Sequence, residues 1–116
     1  MRSLSTHVLD AVSGEPAAGM GVTLAHRPES TDGGAGSWVE LTSAITDADG
    51  RVSDLAPEGL HPGVHRLVFD TAAYLTSAGL TGFYPEVTVT FTVTDERHYH
   101  VPLLLSPFAF STYRGS

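Results

Sequence analysis

Apolar and polar side chains alternate along much of the chain, most sharply over residues 85–94, which read PEVTVTFTVT. This spacing puts Val87, Val89, Phe91 and Val93 on one side and Thr88, Thr90, Thr92 and Thr94 on the other. Successive side chains of a strand point to opposite faces, so the pattern predicts a strand with one face in a core. The same reading predicts strands over 4–9 (LSTHVL), 21–26, 38–46 and 64–69, a further strand led by Arg51, and a last one opening at His98. In the 21–26 segment Val22 and Leu24 share a face.

Turn residues punctuate these runs. Residues 10–16 close the first strand, 57–62 form a loop, and Asp95, Glu96 and Arg97 turn the chain into the last strand. Residues 27–37, RPESTDGGAGS, are rich in Gly, Ser and Pro and predict a solvated loop. Residues 47–51, DADGR, predict a tight turn on Asp49-Gly50, where glycine tolerates a positive φ. One helix is expected, over 70–79: Asp70 or Thr71 can cap it, Ala72, Ala73 and Leu75 favour it, and Gly79 suits its exit. Seven or eight short strands with regular turns and one small helix predict an all-β sandwich, without internal repeats.

Composition narrows the function. The 116 residues suffice for one domain and one core. The formal net charge is −7 and no basic cluster occurs, which argues against nucleic acid and anionic membranes as partners. The absence of cysteine removes disulfides, thiolate nucleophiles and sulfur-ligated metals. All six basic residues are arginines, so Schiff-base chemistry is excluded. Neither a signal-peptide pattern nor an apolar run of membrane-spanning length is present, and the terminus is not a peroxisomal address. A soluble, cytoplasmic protein is the expectation.

The chemistry concentrates in residues 98–116, HYHVPLLLSPFAFSTYRGS. Alternation puts His98, His100, Pro102 and Leu104 on one face and Tyr99, Val101, Leu103 and Leu105 on the other, which is the better core face. The two histidines therefore point to water, a partner subunit or a cavity. Residues two apart on a strand are roughly 6.5 Å apart, a spacing that fits either a His-x-His metal chelate or a pair of surface histidines. No motif supplies further ligands. The DADG segment departs from a calcium loop in its glycine position and lacks the closing glutamate. Taken singly, Arg51 reads as an exposed arginine and His7 as a structural histidine, and His26, His61 and His65 receive no role. No nucleophile elbow, Walker loop or dinucleotide glycine fingerprint occurs, and the acids cluster in turns. What these residues share is a logic of neutral imidazoles that move protons and arginines that hold an anion. A nearby arginine also favours the free-base form of a histidine.

Three blocks carry a family resemblance: STHVLD at 5–10, DGR at 49–51, and HYHVPLLLSP followed by STYRGS through Ser116. With GFYPEV at 82–87 and the helix before it, they resemble the transthyretin-related family, in its 5-hydroxyisourate hydrolase branch, over essentially the whole chain. The terminal Tyr-Arg-Gly-Ser separates these hydrolases from transthyretin proper, the thyroid-hormone carrier. The 27–37 loop is longer and richer in glycine than is usual in the family, and Phe110 stands where tyrosine or tryptophan is common.

The resemblance implies a transthyretin (prealbumin)-like sandwich of two four-stranded sheets with one short helix. It also implies a homotetramer with active sites at the dimer–dimer interface, and a cyclic amide hydrolase that opens the ring of the small molecule 5-hydroxyisourate without metal or organic cofactor. By motif, His7, Arg51, His100 and Ser116 form the catalytic set. His7, Arg51, Tyr113 and Arg114 bind substrate, and His98 and Gly115 lie near the site. In this reading His7 and His100 handle the water and the leaving nitrogen, with the choice of base left open. Arg51 holds the developing oxyanion, and Ser116 with its carboxylate fixes the terminus. The rival reading on the same fold is a non-catalytic carrier of small aromatic ligands.

Overall fold

Two sheets packed face to face make up the computed structural model, which describes residues 1–28 and 36–116. One sheet is built from β3 (Gly21–Arg27), β4 (Val39–Ile45), β6 (Gly63–Phe69) and β7 (Val87–Val93), all antiparallel, in the order β4-β3-β6-β7. It is the four-stranded sheet expected.

The other sheet contains β1 (Ser3–Asp10), β2 (Glu15–Pro16), β5 (Arg51–Val52), β8 (His98–His100), β9 (Leu103–Ser106) and β10 (Ala109–Thr112). Its six segments amount to a sheet four strands wide, because each edge of β1 is covered by two short strands in succession. β8 pairs with Ser3, Leu4 and Ser5 and β9 with Val8, Leu9 and Asp10, both parallel to β1. On the opposite edge β5 pairs with Thr6 and His7, and β2 with Leu9 and Asp10.

The last strand, read as continuous from the sequence, is interrupted at Val101 and Pro102. Proline has no N–H to give to a ladder, so β8 ends before it and β9 begins after it. The Thr6 hydroxyl bridges the gap by donating to the Val101 carbonyl at 2.6 Å.

The core follows the predicted alternation. Leu4, Val8, Leu24, Leu67, Phe69, Val87, Val93, Tyr99, Leu103 and Leu105 are buried, with Val89 and Phe91 packed against them. Pro102, assigned to the outer face, is also buried where the strand breaks. Helix α1 (Thr71–Ser77) starts where Asp70 accepts from the Ala73 amide, and it buries Thr71 and Leu75 against the sandwich. Its Tyr74 hydroxyl donates to Asp10 Oδ2 at 2.8 Å, tying the helix to the end of β1. Of the predicted 27–37 loop, residues 29–35 lie outside the described residues. Among the described residues no helix is long and apolar enough to cross a membrane.

Candidate active site

β1 alternates strictly between its two faces. Leu4, Thr6, Val8 and Asp10 are buried, which turns Ser3, Ser5 and His7 to the opposite face. Because β8 runs parallel to β1 with Ser3 opposite His98 and Ser5 opposite His100, those imidazoles rise on the same outer face. On the far edge His7 stands directly opposite Arg51. Three strands far apart in sequence thus bring Arg51, His7, His100 and His98 onto one surface.

The turn before Arg51 explains its placement. Asp47 Oδ1 accepts from the amides of Asp49 and Arg51 at 2.9 and 3.0 Å, and Gly50 adopts a φ of +71°. A side chain at Gly50 would also place its Cβ 2.5 Å from the Val8 carbonyl oxygen. Only glycine lets this turn press against β1, where the Val8 amide donates to the Gly50 carbonyl at 2.8 Å.

Hydroxyls hold the two imidazoles of β8. Ser3 Oγ lies 2.6 Å from His98 Nδ1, and Ser5 Oγ lies 2.7 Å from both His98 Nε2 and His100 Nδ1. The His98 and His100 rings stack 6.5 Å apart, as their spacing predicted. Among the described residues no group of three or more His, Cys, Asp or Glu is placed to hold a metal ion. Partial burial pushes the His100 pKa below its ordinary value, and the neighbouring His98, Arg51 and His7 push it the same way. A backbone hydrogen bond to Ser5 opposes them. The shift favours the free base of His100, the form able to accept a proton.

The chain terminus closes on this face. The Gly115 amide donates to the His100 carbonyl at 2.8 Å in an isolated bridge. A Cβ on Gly115 would lie 2.4 Å from His100 Cδ2, so the backbone lies directly on the imidazole. Ser116 is the next residue in the chain and is exposed. The Arg114 guanidinium sits 4.7 Å from the centre of the Tyr99 ring, a side chain on the core side of β8. Tyr113 is largely exposed. His100, Tyr113 and Arg114 line a common cleft of about 250 Å³ together with Val89, Phe91 and Tyr99.

Of the residues picked out from the sequence, His7, Arg51, His98, His100 and Gly115 thus share one surface. Tyr113 and Arg114 meet His100 from the neighbouring cleft, where Arg114 stacks on Tyr99. Sequence reasoning missed Ser3 and Ser5. The signal was present, since both sit at even spacings from His7 and so share its face. It also read Tyr99 only as core, although that ring is the platform for Arg114.

The chain matches the model of the HIUase/Transthyretin family over residues 4–115. It is 44% identical over 115 residues to a 5-hydroxyisourate hydrolase of Mus musculus, covering 97% of this chain and 94% of the relative. Its structure resembles that of Klebsiella pneumoniae 5-hydroxyisourate hydrolase with a TM-score of 0.83 at 32% identity, covering 100% of this chain and 94% of the other. It also resembles sea bream transthyretin in complex with thyroxine, with a TM-score of 0.84 at 36% identity, covering 97% and 93%. The fold alone therefore does not separate hydrolase from carrier.

Proposed function

Because the chain belongs to the HIUase/transthyretin family, we propose that it is a cytoplasmic cyclic amide hydrolase that opens the six-membered ring of 5-hydroxyisourate. The product is 2-oxo-4-hydroxy-4-carboxy-5-ureidoimidazoline, and the step follows urate oxidation in purine breakdown. One observation carries the reading over that of a carrier: His7 stands opposite Arg51 across a β-ladder, on the same face as His100, whose backbone is clasped by Gly115.

The chemistry follows from that arrangement. Water attacks an activated ring carbonyl, which needs a base for its proton, a cation for the oxyanion and an acid for the departing ring nitrogen. His7 and His100 between them orient and deprotonate the water and reprotonate the leaving nitrogen, help worth roughly 10²- to 10⁴-fold in rate. Arg51 binds the substrate and stabilises the oxyanion as charge develops. Tyr113 and Arg114 pack against and hydrogen-bond the flat polar heterocycle, and Ser116 helps to hold the last residues across the site.

The active face lies open in a single chain, with His98, Arg51 and Ser116 exposed. This favours a homotetramer in which two dimers meet over that face and enclose the substrate between them.

Substrate in large excess over protein tests the proposal. A carrier sequesters at most a stoichiometric amount, whereas the proposed enzyme clears all of it. Removal limited to one equivalent per site would leave the carrier reading standing. Deleting residues 113–116 is expected to abolish turnover, and full activity of that truncated chain would remove the terminus from the mechanism.

A further inference from the structure

Hydrogen bonds on the active face run in an unbroken line from Ser3 Oγ to His98 Nδ1, from His98 Nε2 to Ser5 Oγ, and from Ser5 Oγ to His100 Nδ1. Each contact is 2.6–2.7 Å long, and the line ends at the half-buried Ser3 beside the exposed His98. We propose that Ser3, His98 and Ser5 form a proton relay that connects the inner ring nitrogen of His100 to bulk water, leaving His100 Nε2 to act on the reacting water. The proposal rests on the hydrolase reading and gives His98 and the two serines a positioning role within it.

Proton counting fixes how such a line works. Ser5 has one hydroxyl proton and two imidazole partners, so it must donate to one ring and accept from the other. Two arrangements satisfy every contact. In the first, His100 Nδ1–H donates to Ser5, Ser5 donates to His98 Nε2, and His98 Nδ1–H donates to Ser3. His100 Nε2 is then a lone pair, the form required of a base. In the second, every bond is reversed: Ser3 donates to His98 Nδ1, His98 Nε2–H donates to Ser5, and Ser5 donates to His100 Nδ1. His100 Nε2 then carries a proton, the form required of an acid.

Attack by water interconverts the two. An O–H bond of the water breaks and its proton goes to His100 Nε2, while the resulting hydroxide bonds to the ring carbonyl carbon. The Nδ1 proton of His100 moves to Ser5, that of Ser5 to His98 Nε2, that of His98 Nδ1 to Ser3, and that of Ser3 to bulk water. When the carbon–nitrogen bond breaks, His100 Nε2–H protonates the leaving nitrogen and the relay runs backwards, taking one proton from bulk water. The protein ends as it began.

Neither imidazole becomes a cation at any stage. That matters at this location, where His7 on β1, Arg51 on β5 and His98 on β8 all face His100 and the terminal segment covers its ring. An imidazolium beside an arginine in a half-buried position is costly, and the relay avoids forming one.

The test compares Ser5→Ala, Ser5→Thr and His98→Phe in the full-length protein, by steady-state hydrolysis and by ¹⁵N NMR of the histidine rings. Ser5→Ala and His98→Phe should lower kcat about 10- to 100-fold with little change in KM, the range for losing the partner that orients a functional imidazole. Both should shift the His100 ring-nitrogen signals as its fixed tautomer is lost, and Ser5→Thr should recover most of the activity. His98 is exposed, so that variant folds even if Ser5→Ala does not. Wild-type kcat with unmoved His100 signals in either variant overturns the relay. A wild-type protein without hydrolase activity overturns the functional reading instead, and the ring signals then decide separately whether the hydrogen-bonded line exists.

Discussion

Protonation of His100 would add a positive charge to a half-buried ring that already faces Arg51, His7 and His98. Its folded pKa therefore lies below the ordinary value of 6.5, chiefly through burial. The sign follows: the free base is fully present above 6.5, and both activity and the ring's contribution to stability are lost as pH falls through the lower folded value. Removing a like charge must raise that value. Arg51→Gln is accordingly expected to move the His100 titration to higher pH, read by NMR; an unmoved titration would show that the two groups do not interact. Gly115 acts by shape. Gly115→Ala puts a methyl group where His100 Cδ2 now lies, 2.4 Å from the ideal Cβ, so the ring must shift. A displacement of this size at a reacting group costs about 100-fold in rate, which the kcat of a folded Gly115→Ala protein would reveal. Period-two spacing made His100 legible as pointing out of the core. The contact that demands glycine at 115 was not legible, because it joins two segments that only the folded chain brings together.

Strands decide where those residues stand. β1 is central because both of its edges are occupied, and the alternation that buries Leu4 and Val8 exposes Ser5 and His7 to the site. The strand itself was readable from the sequence, but its neighbours were not. Register with β5 and β8 depends on long-range pairing that leaves no local mark. β10 escaped prediction for a related reason: all four of its residues are exposed, so no alternation announces it, and its pairing with β9 holds it in place. In the other sheet, β3 and β6 carry a second pair of imidazoles, His26 and His65, stacked 4.5 Å apart. His65 is fully buried and packs against Phe91 of β7, and its Nε2 has no hydrogen-bond partner among the described residues. Burial lowers its pKa, His26 and His61 lower it further, and a backbone bond to Gly63 opposes them. Its stabilising contribution is thus complete above 6.5 and disappears as pH falls through the depressed value. His65→Phe is expected to leave stability at neutral pH within about 1.5 kcal/mol of wild type. It should also flatten the loss of stability on acidification. Urea unfolding at two pH values would check this, and an undiminished acid sensitivity would shift the cause elsewhere.

At the scale of the molecule, the all-β sandwich was legible because its core faces alternate so regularly. Any association between chains was not legible from the pattern, since an outward-facing histidine looks alike whether it meets water or a partner. The single chain exposes Phe83, Phe108, Phe110 and Tyr113, and among the described residues β7 and β10 end their sheets with unpaired edges. Free edges and exposed aromatics are what association would cover. The proposed tetramer predicts a solution mass of four chains by light scattering, and activity that falls when dilution dissociates it; a fully active monomer would contradict an interfacial site. Central to the whole account is catalysis at the His7, Arg51 and His100 surface. The most direct test is to add the protein to freshly generated 5-hydroxyisourate and follow its ultraviolet decay. Decay much faster than the spontaneous reaction and proportional to protein concentration is expected, and a rate no faster than the spontaneous one would contradict catalysis at this surface.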